Sequence, residues 1–395
     1  MLHKLIDHSP DLKKLKDEGY ELQIKNSHVL INSVPYLNSK KQVSLGSVVV
    51  PLTIAGNRLG IPRNHVVYFI GEHPCNKDGS IIAALTHVQR RIQLADGIVV
   101  DRSFSNKPQG GFKDYYQMIT SYVNIISGPA ISLDNSLTPK TFKFLQFSDE
   151  SEDFHYPDTN TSRSGIGAIT AKLRGMKIGI IGMGGTGSYL LDFLAKCPVG
   201  EIRIFDNDQF VLHNAFRAPG APDSKVLMDT PKKVRYFYEM YSKMHKNIVA
   251  REKFIIKSNL NELEDLNTVF ICVDNGAVKE YIINYLSQVK IDFIDVGMGL
   301  QVSDSNSLFG LLRITSSTKG NINHINGKGR ISFRDMEEDD EYHQNIQIAE
   351  LNALNAALAI IKWKKNIGFY YSAEKEQHSI YCIDDNTIIN EDFEA

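Results

Sequence analysis

Cysteine is scarce in this sequence and is placed badly for the work that clusters of it perform. The four cysteines, Cys75, Cys197, Cys272 and Cys382, lie far apart and include no Cys-x-x-Cys pair. That argues against a disulfide framework and against a structural zinc site of the usual spacing, and it suits a reducing, cytoplasmic setting. An excess of either charge is also missing, because 44 Lys and Arg nearly balance 46 Asp and Glu. No overall field therefore draws the chain to nucleic acid or to an anionic membrane. No apolar run approaches the roughly 20 residues that a membrane span requires. The opening Met-Leu-His-Lys-Leu-Ile-Asp-His is charged too early for a secretory signal.

What remains has the composition of a globular protein, 42% hydrophobic and 23% charged, and its 395 residues suffice for two or three domains. Residues 1–157 read as an α+β domain. Ser9-Pro10 starts a short helix with Leu12 and Leu15 on one face, and residues 20–24, 28–34, 43–52 and 65–70 read as strands. Residues 113–126 suggest a helix passing into a strand. The turn-rich stretch 69–79 holds Cys75 between His73 and Lys77. If exposed, that thiol is a candidate nucleophile, since neighbouring positive charge lowers a thiol pKa. The acidic run at 149–153 and the polar run at 158–164 read as a linker, so a second domain is expected over residues 158–395.

The second domain is organised around residues 176–188. A short apolar run, Ile178 to Ile181, feeds Gly182, Gly184, Gly185 and Gly187, and apolar positions at helical spacing follow. Strand, glycine turn and helix form a phosphate-binding unit: absent β-carbons admit the phosphate, and free amides at the helix start point at it. A second strand ends in Asp206 and Asp208; Asp206 lies 24 residues after Gly182, where an acid meets a ribose hydroxyl. To this point an NAD(P)-dependent oxidoreductase fits equally well. Beyond it come Asn214 and Arg217, then Lys232 and Lys233 opening a helix, then a buried strand ending in Asp274-Asn275.

With those residues the sequence resembles the ThiF-type adenylyltransferases, the superfamily of ubiquitin-activating enzymes and of sulfur-carrier activators, over about residues 160–370. The resemblance implies a Rossmann-like α/β adenylation domain with a mostly parallel sheet, preceded here by the smaller α+β domain. It implies ATP and Mg²⁺ as cofactors, with Gly182, Gly184, Gly185, Gly187, Asp206, Asp208, Asn214 and Asn275 in the nucleotide site. Arg217 and Lys233 would face the phosphates and Asp274 would hold Mg²⁺; Lys233 is preferred to Lys232 because it aligns Val234, Phe237, Tyr241 and Met244 with the family's apolar helix positions. Relatives that dimerise reach an arginine into the partner's site, a role for which Arg163 is the candidate and Arg174 the competitor. The implied substrate is the C-terminal carboxylate of a ubiquitin-like protein, as in bacterial members of conjugation systems, or alternatively of a sulfur carrier. The first domain would then recruit this substrate or a conjugating enzyme, and a homodimer is expected by the same resemblance. The polar connection at 316–345, expected to be disordered without a partner, lacks the thioester cysteine that ubiquitin-activating relatives carry there. Transfer would then use Cys75, an oxygen nucleophile, or no covalent step. Residues 348–363 read as a strong helix and residues 380–384 as a final strand.

Overall fold

The computed structural model describes residues 9–55, 58–143, 153–156, 158–333 and 346–393. The chain divides into two compact units, residues 1–150 and 151–395. Asp153, inside the stretch expected to link them, already belongs to the second: the Lys246 N–H donates to its carbonyl at 2.8 Å and Arg174 reaches its carboxylate at 3.1 Å. Part of the expected linker is helical, over Thr159–Ser164.

In the first unit, helix α1 (Pro10–Asp17) begins with a proline whose missing N–H costs a helix start nothing. Five strands, β1 (Glu21–Lys25), β2 (His28–Leu37), β3 (Val43–Pro51), β4 (Val66–Ile70) and β5 (Arg102–Ser105), form an antiparallel sheet in that order. Two small hairpins pair Ile54–Ala55 with Arg58–Leu59 and Ile92–Ala95 with Ile98–Val100. The expected change from helix to strand after residue 113 does not occur, because Tyr115–Ile131 is one helix, α2. Asp114 caps it by accepting from the Gln117 N–H at 2.7 Å. Tyr115, Met118, Ile119, Tyr122, Val123 and Ile126 then recur at helical spacing and are all buried. Burial of that stripe outweighs the β preference of its branched and aromatic members.

The second unit carries an eight-stranded sheet. Its strands are β6 (Lys177–Ile181), β7 (Glu201–Phe205), β8 (Ile248–Arg251), β9 (Thr268–Ile271), β10 (Asp292–Val302), β11 (Leu308–Ser317), β12 (Glu376–Cys382) and β13 (Thr387–Phe393). They lie in the order β8-β7-β6-β9-β10-β11-β12-β13. The first five are parallel and the rest antiparallel. The single strand expected at the tail is thus a hairpin of two. Helices α3 (Gly185–Leu194), α4 (Lys233–Tyr241) and α6 (Ala349–Asn366) pack with Ile178, Ile180, Ile202 and Ile204 on one face. Helix α5 (Gly276–Gln288) packs with Ile181, Phe205, Val269 and Ile271 on the other. Alternate residues of each strand feed opposite cores, which makes this a three-layer α/β/α unit.

This topology positions the site. Ile181 pairs with Phe205 on one side and with Ile271 on the other. Gly182, Asp206 and Cys272 therefore leave the sheet along one edge, at the carboxyl ends of parallel strands. Strand order reverses direction at β6, which opens a crevice there. Of the polar connection expected at 316–345, β11 takes the first residues and a short helix forms at Asn323–Lys328; residues 334–345, where disorder was expected, lie outside the described residues.

Candidate nucleotide site

Of the four glycines from the end of β6 into the first turn of α3, Gly182 and Gly187 face backbone that leaves no room for a β-carbon, and Gly185 faces a side chain. Gly182 has φ +92°, and a β-carbon on it would lie 2.8 Å from the Cys272 carbonyl oxygen. One on Gly187 would lie 1.9 Å from the Gly182 carbonyl oxygen, and one on Gly185 would meet the Asn352 amide at 2.2 Å. Gly184 differs: it is the cap residue of α3, and a β-carbon there would find nothing within 4 Å. A glycine cap offers no side chain to the first amides of the helix, which leaves that helix start suited to an anion.

Asp206 fastens the turn to the end of β7. Its Oδ2 accepts from the Met183 N–H and its Oδ1 from the Asp208 N–H, both at 2.7 Å. Burial raises its pKa, and Lys233 opposes that rise. The Lys233 ammonium sits 2.7 Å from Asp208 Oδ2 and 3.9 Å from Asp206 Oδ2, at the first turn of α4. The Lys233 N–H also donates to the Asp208 carbonyl at 2.9 Å, which pins the helix start to the strand end. Lys232 turns instead to the Asn207 carbonyl at 2.5 Å.

Arg217 and Asn214 come from the turn after β7. Asn214 is buried, and its Oδ1 accepts from the Val211 N–H at 2.9 Å, so its role here is to hold that turn. Arg217 is half-buried, and its Nε is fully covered with no acceptor among the described residues. Burial lowers its pKa, while Asp274 lies near enough to counter the loss. Asp274 is exposed beyond the end of β9, and Asn275 caps α5 through the Val278 N–H at 2.8 Å. Contacts thus gather Lys233, Asp206 and Asp208 in one group, and electrostatic reach links Arg217 with Asp274 in another. Both groups border the glycine turn.

Asn352 of α6 joins these groups, and sequence reasoning missed it. Its Oδ1 accepts from the Thr186 hydroxyl at 2.9 Å, and its amide donates to the Arg217 carbonyl at 3.4 Å. The available signal was two buried asparagines, Asn352 and Asn355, on the same helix face as Ala356, Ala359 and Trp363. Buried amides on an apolar stripe need partners, so they mark where a helix meets polar backbone.

The remaining candidates fall elsewhere. The side chain of Arg163 lies outside the described residues. Arg174 is exposed and pairs with Asp153. Cys75 does not meet the condition of exposure set for a nucleophile: it is 1% exposed, donates to the His73 carbonyl at 3.3 Å, and burial raises its pKa. The loop around it is at the surface, but the Cys75 N–H bonds the Leu37 carbonyl at 2.8 Å and draws the side chain inward. Among the described residues no group of three or more His, Cys, Asp or Glu could hold a metal ion, and no helix is long and apolar enough to cross a membrane.

A glycine turn at the switch point of a parallel sheet, flanked by acids and cations, defines a Rossmann-like nucleotide-binding protein. The chain belongs to the ThiF family, which matches residues 160–361. Residues 10–159 match a family described as Domain of unknown function (DUF6791). The ubiquitin-like modifier-activating enzyme 5 of Aedes aegypti is 26% identical over 147 residues, which cover 34% of this chain and 37% of that enzyme. Its namesake in Xenopus laevis is 30% identical over 129 residues, covering 29% and 31%. The chain thus spans about a third of the length of these relatives. Among solved structures, PaaA is similar at TM-score 0.47 and 16% identity over 72% of this chain and 88% of that one. Escherichia coli MccB with ATP is similar at TM-score 0.42 and 18% identity over 57% and 65%.

Proposed function

We propose that this protein uses ATP and Mg²⁺ to adenylate the C-terminal carboxylate of a small ubiquitin-like protein. The observation that carries the reading is Arg217, a guanidinium whose buried Nε has no acceptor among the described residues, within electrostatic reach of Asp274 and in the same site as a helix start capped only by a glycine. A buried donor left without a partner costs stability unless a ligand completes it, and an anion suits an arginine best. In the reaction the carboxylate oxygen attacks the α-phosphorus of ATP, the bond to the bridging oxygen breaks, and pyrophosphate leaves with its electrons. Charge grows on the phosphoryl oxygens, and fixed cations there are the largest catalytic contribution available. Arg217 and Lys233 supply them, and Asp206 and the glycine turn hold the ribose and phosphates in line.

Mg²⁺ neutralises phosphate charge when bound, and Asp274 would hold it. A single exposed carboxylate suits that ion, which keeps several waters and takes its other ligands from phosphate. An oxidoreductase reading shares the glycine turn and Asp206 but gives Arg217, Lys233 and Asp274 no joint task. A sulfur carrier would undergo the same first step.

A protein substrate is supported by the antiparallel part of the sheet. Gly299, Leu311, Cys382 and Thr387 pair in register across β10–β13, as do Gly297, Arg313, Ile380 and Ile389 in the next row but one. Residues so paired share a face, and on it Phe309, Leu311 and Ile389 are exposed. The first domain is proposed to recruit the carrier or a conjugating enzyme. A cytoplasmic homodimer is part of the same proposal. The test is exchange of labelled pyrophosphate into ATP with candidate small proteins ending in glycine. Exchange that requires a free carrier carboxylate supports the reading; hydride transfer to NAD(P)⁺ without exchange overturns it.

A further inference from the structure

Below the crevice lies an ion cluster that the proposed chemistry does not use. Asp295 of β10 is 0% exposed and is flanked by two cations, Lys279 of α5 at 2.8 Å and Arg313 of β11 at 2.6 Å. One carboxylate and two cations leave a surplus positive charge, and such a buried arrangement is costly unless geometry rewards it. Arg313 can cross the sheet only because residue 297 is glycine, where a β-carbon would lie 2.7 Å from Nη2.

Each member of the cluster is fastened to something near the site. The Lys279 N–H donates to the Asn275 carbonyl at 3.1 Å and so closes the first turn of α5. Its ammonium lies 2.8 Å from Asp295 Oδ1 without hydrogen-bond alignment; its directed bond goes to the Val296 carbonyl at 3.3 Å. Asp295 is also the residue of β10 that pairs with Ile271, the last of β9. Arg313 carries the connection outward, to Thr315 Oγ1 at 3.1 Å and to the Arg330 carbonyl at 2.8 Å. The charges of Asp295 and Lys279 both reach Cys272, against whose carbonyl Gly182 is packed.

We propose that Lys279, Asp295 and Arg313 are positioning residues that seat the Asp274–Asn275 turn against β10, so that Asp274 meets the metal–nucleotide complex at a fixed place. The inference rests on the reading of Asp274 given above, and it assigns to the cluster a task distinct from holding the sheet together. A fixed turn matters because displacement of a reacting group by about 1 Å costs up to about a hundredfold. If Asp274 acts through Mg²⁺, loosening its turn should weaken only the part of nucleotide binding that Mg²⁺ contributes.

The test is calorimetric titration of the full chain with α,β-methylene-ATP, with Mg²⁺ and again in EDTA. Wild type should gain about tenfold or more in affinity from Mg²⁺. Lys279→Met should lose most of that gain while its affinity in EDTA stays within about twofold, and Lys279→Arg should restore it. Where Lys279→Met gives too little folded protein, Arg313→Gln keeps the Lys279–Asp295 pair and should lose part of the gain. A Mg²⁺ gain unchanged in Lys279→Met, or in Arg313→Gln where that variant replaces it, overturns the inference. Asp274→Ala separates the two levels: if it too keeps the full gain, or if wild type gains nothing, the reading of Asp274 fails and takes the inference with it.

Discussion

A lysine that closes on two aspartates, and an arginine whose buried nitrogen has no hydrogen-bond partner among the described residues, are the residues on which the proposed chemistry rests. Replacing either Lys233 or Arg217 by Met should lower carrier-dependent pyrophosphate exchange by about a hundredfold or more, the usual loss when one fixed charge is removed from a developing anion. Steady-state exchange rates check this, and a loss under about fivefold in both would remove these residues from the reaction. Gly187→Ala should abolish nucleotide binding, since the added carbon would sit 1.9 Å from the Gly182 carbonyl and must push the turn open. Unchanged binding by calorimetry would contradict the turn's assigned place. The glycine turn and Asp206 were legible from spacing alone, since the turn follows its strand directly and Asp206 comes just after the next strand, whereas Arg217 and Lys233 were singled out through the family resemblance. Asn352, Asp295 and Arg313 were not legible as a site, since their partners lie on other elements and only the folded sheet brings them together. Whether Cys75 is exposed stayed open in the sequence for the reverse reason, as turn residues predict an exposed backbone but not where one side chain points.

Among elements, the tail hairpin carries a group that makes it sensitive to acid. His378 of β12 is 2% exposed and its Nδ1 lies 2.9 Å from the Thr315 hydroxyl. Burial, with Arg330 and Arg313 nearby, lowers its pKa to about 4, against an opposing pull from Asp392 and Glu391. Between that value and the ordinary histidine value near 6.5, the unfolded chain binds a proton that the folded chain does not. Stability therefore rises with pH across this window and is lost as pH falls through it. Urea unfolding between pH 4 and 7 should show that slope, worth on the order of 2–3 kcal/mol. His378→Gln should flatten its share; an equally steep slope in the variant would assign the acid sensitivity elsewhere. Elements were legible where periodicity was strong, as in α6 and the parallel strands. They were not where packing overrode propensity, as in α2, whose Val123, Ile125 and Ile126 favour strand yet lie on a helix.

For the whole molecule, the account separates making the adenylate from choosing the carrier. The first is proposed for the crevice at the carboxyl ends of β6, β7 and β9. The second is proposed for the exposed row on β10–β13 together with the first unit. Leu311→Asp with Ile389→Asp should then raise the carrier KM about tenfold or more, the effect of removing apolar anchors from an interface, with affinity for α,β-methylene-ATP unchanged. A kcat loss with constant KM would instead place that row in the chemistry.

The central claim is that Arg217, Lys233 and Asp274 activate a carboxylate directly, with no thiol in the adenylation step. Its most direct test is pyrophosphate exchange in Asp274→Ala beside Cys75→Ala, with the carrier supplied at saturation. The account predicts exchange lost in the first variant and kept at the wild-type rate in the second. Exchange that survives Asp274→Ala and disappears in folded Cys75→Ala would contradict it.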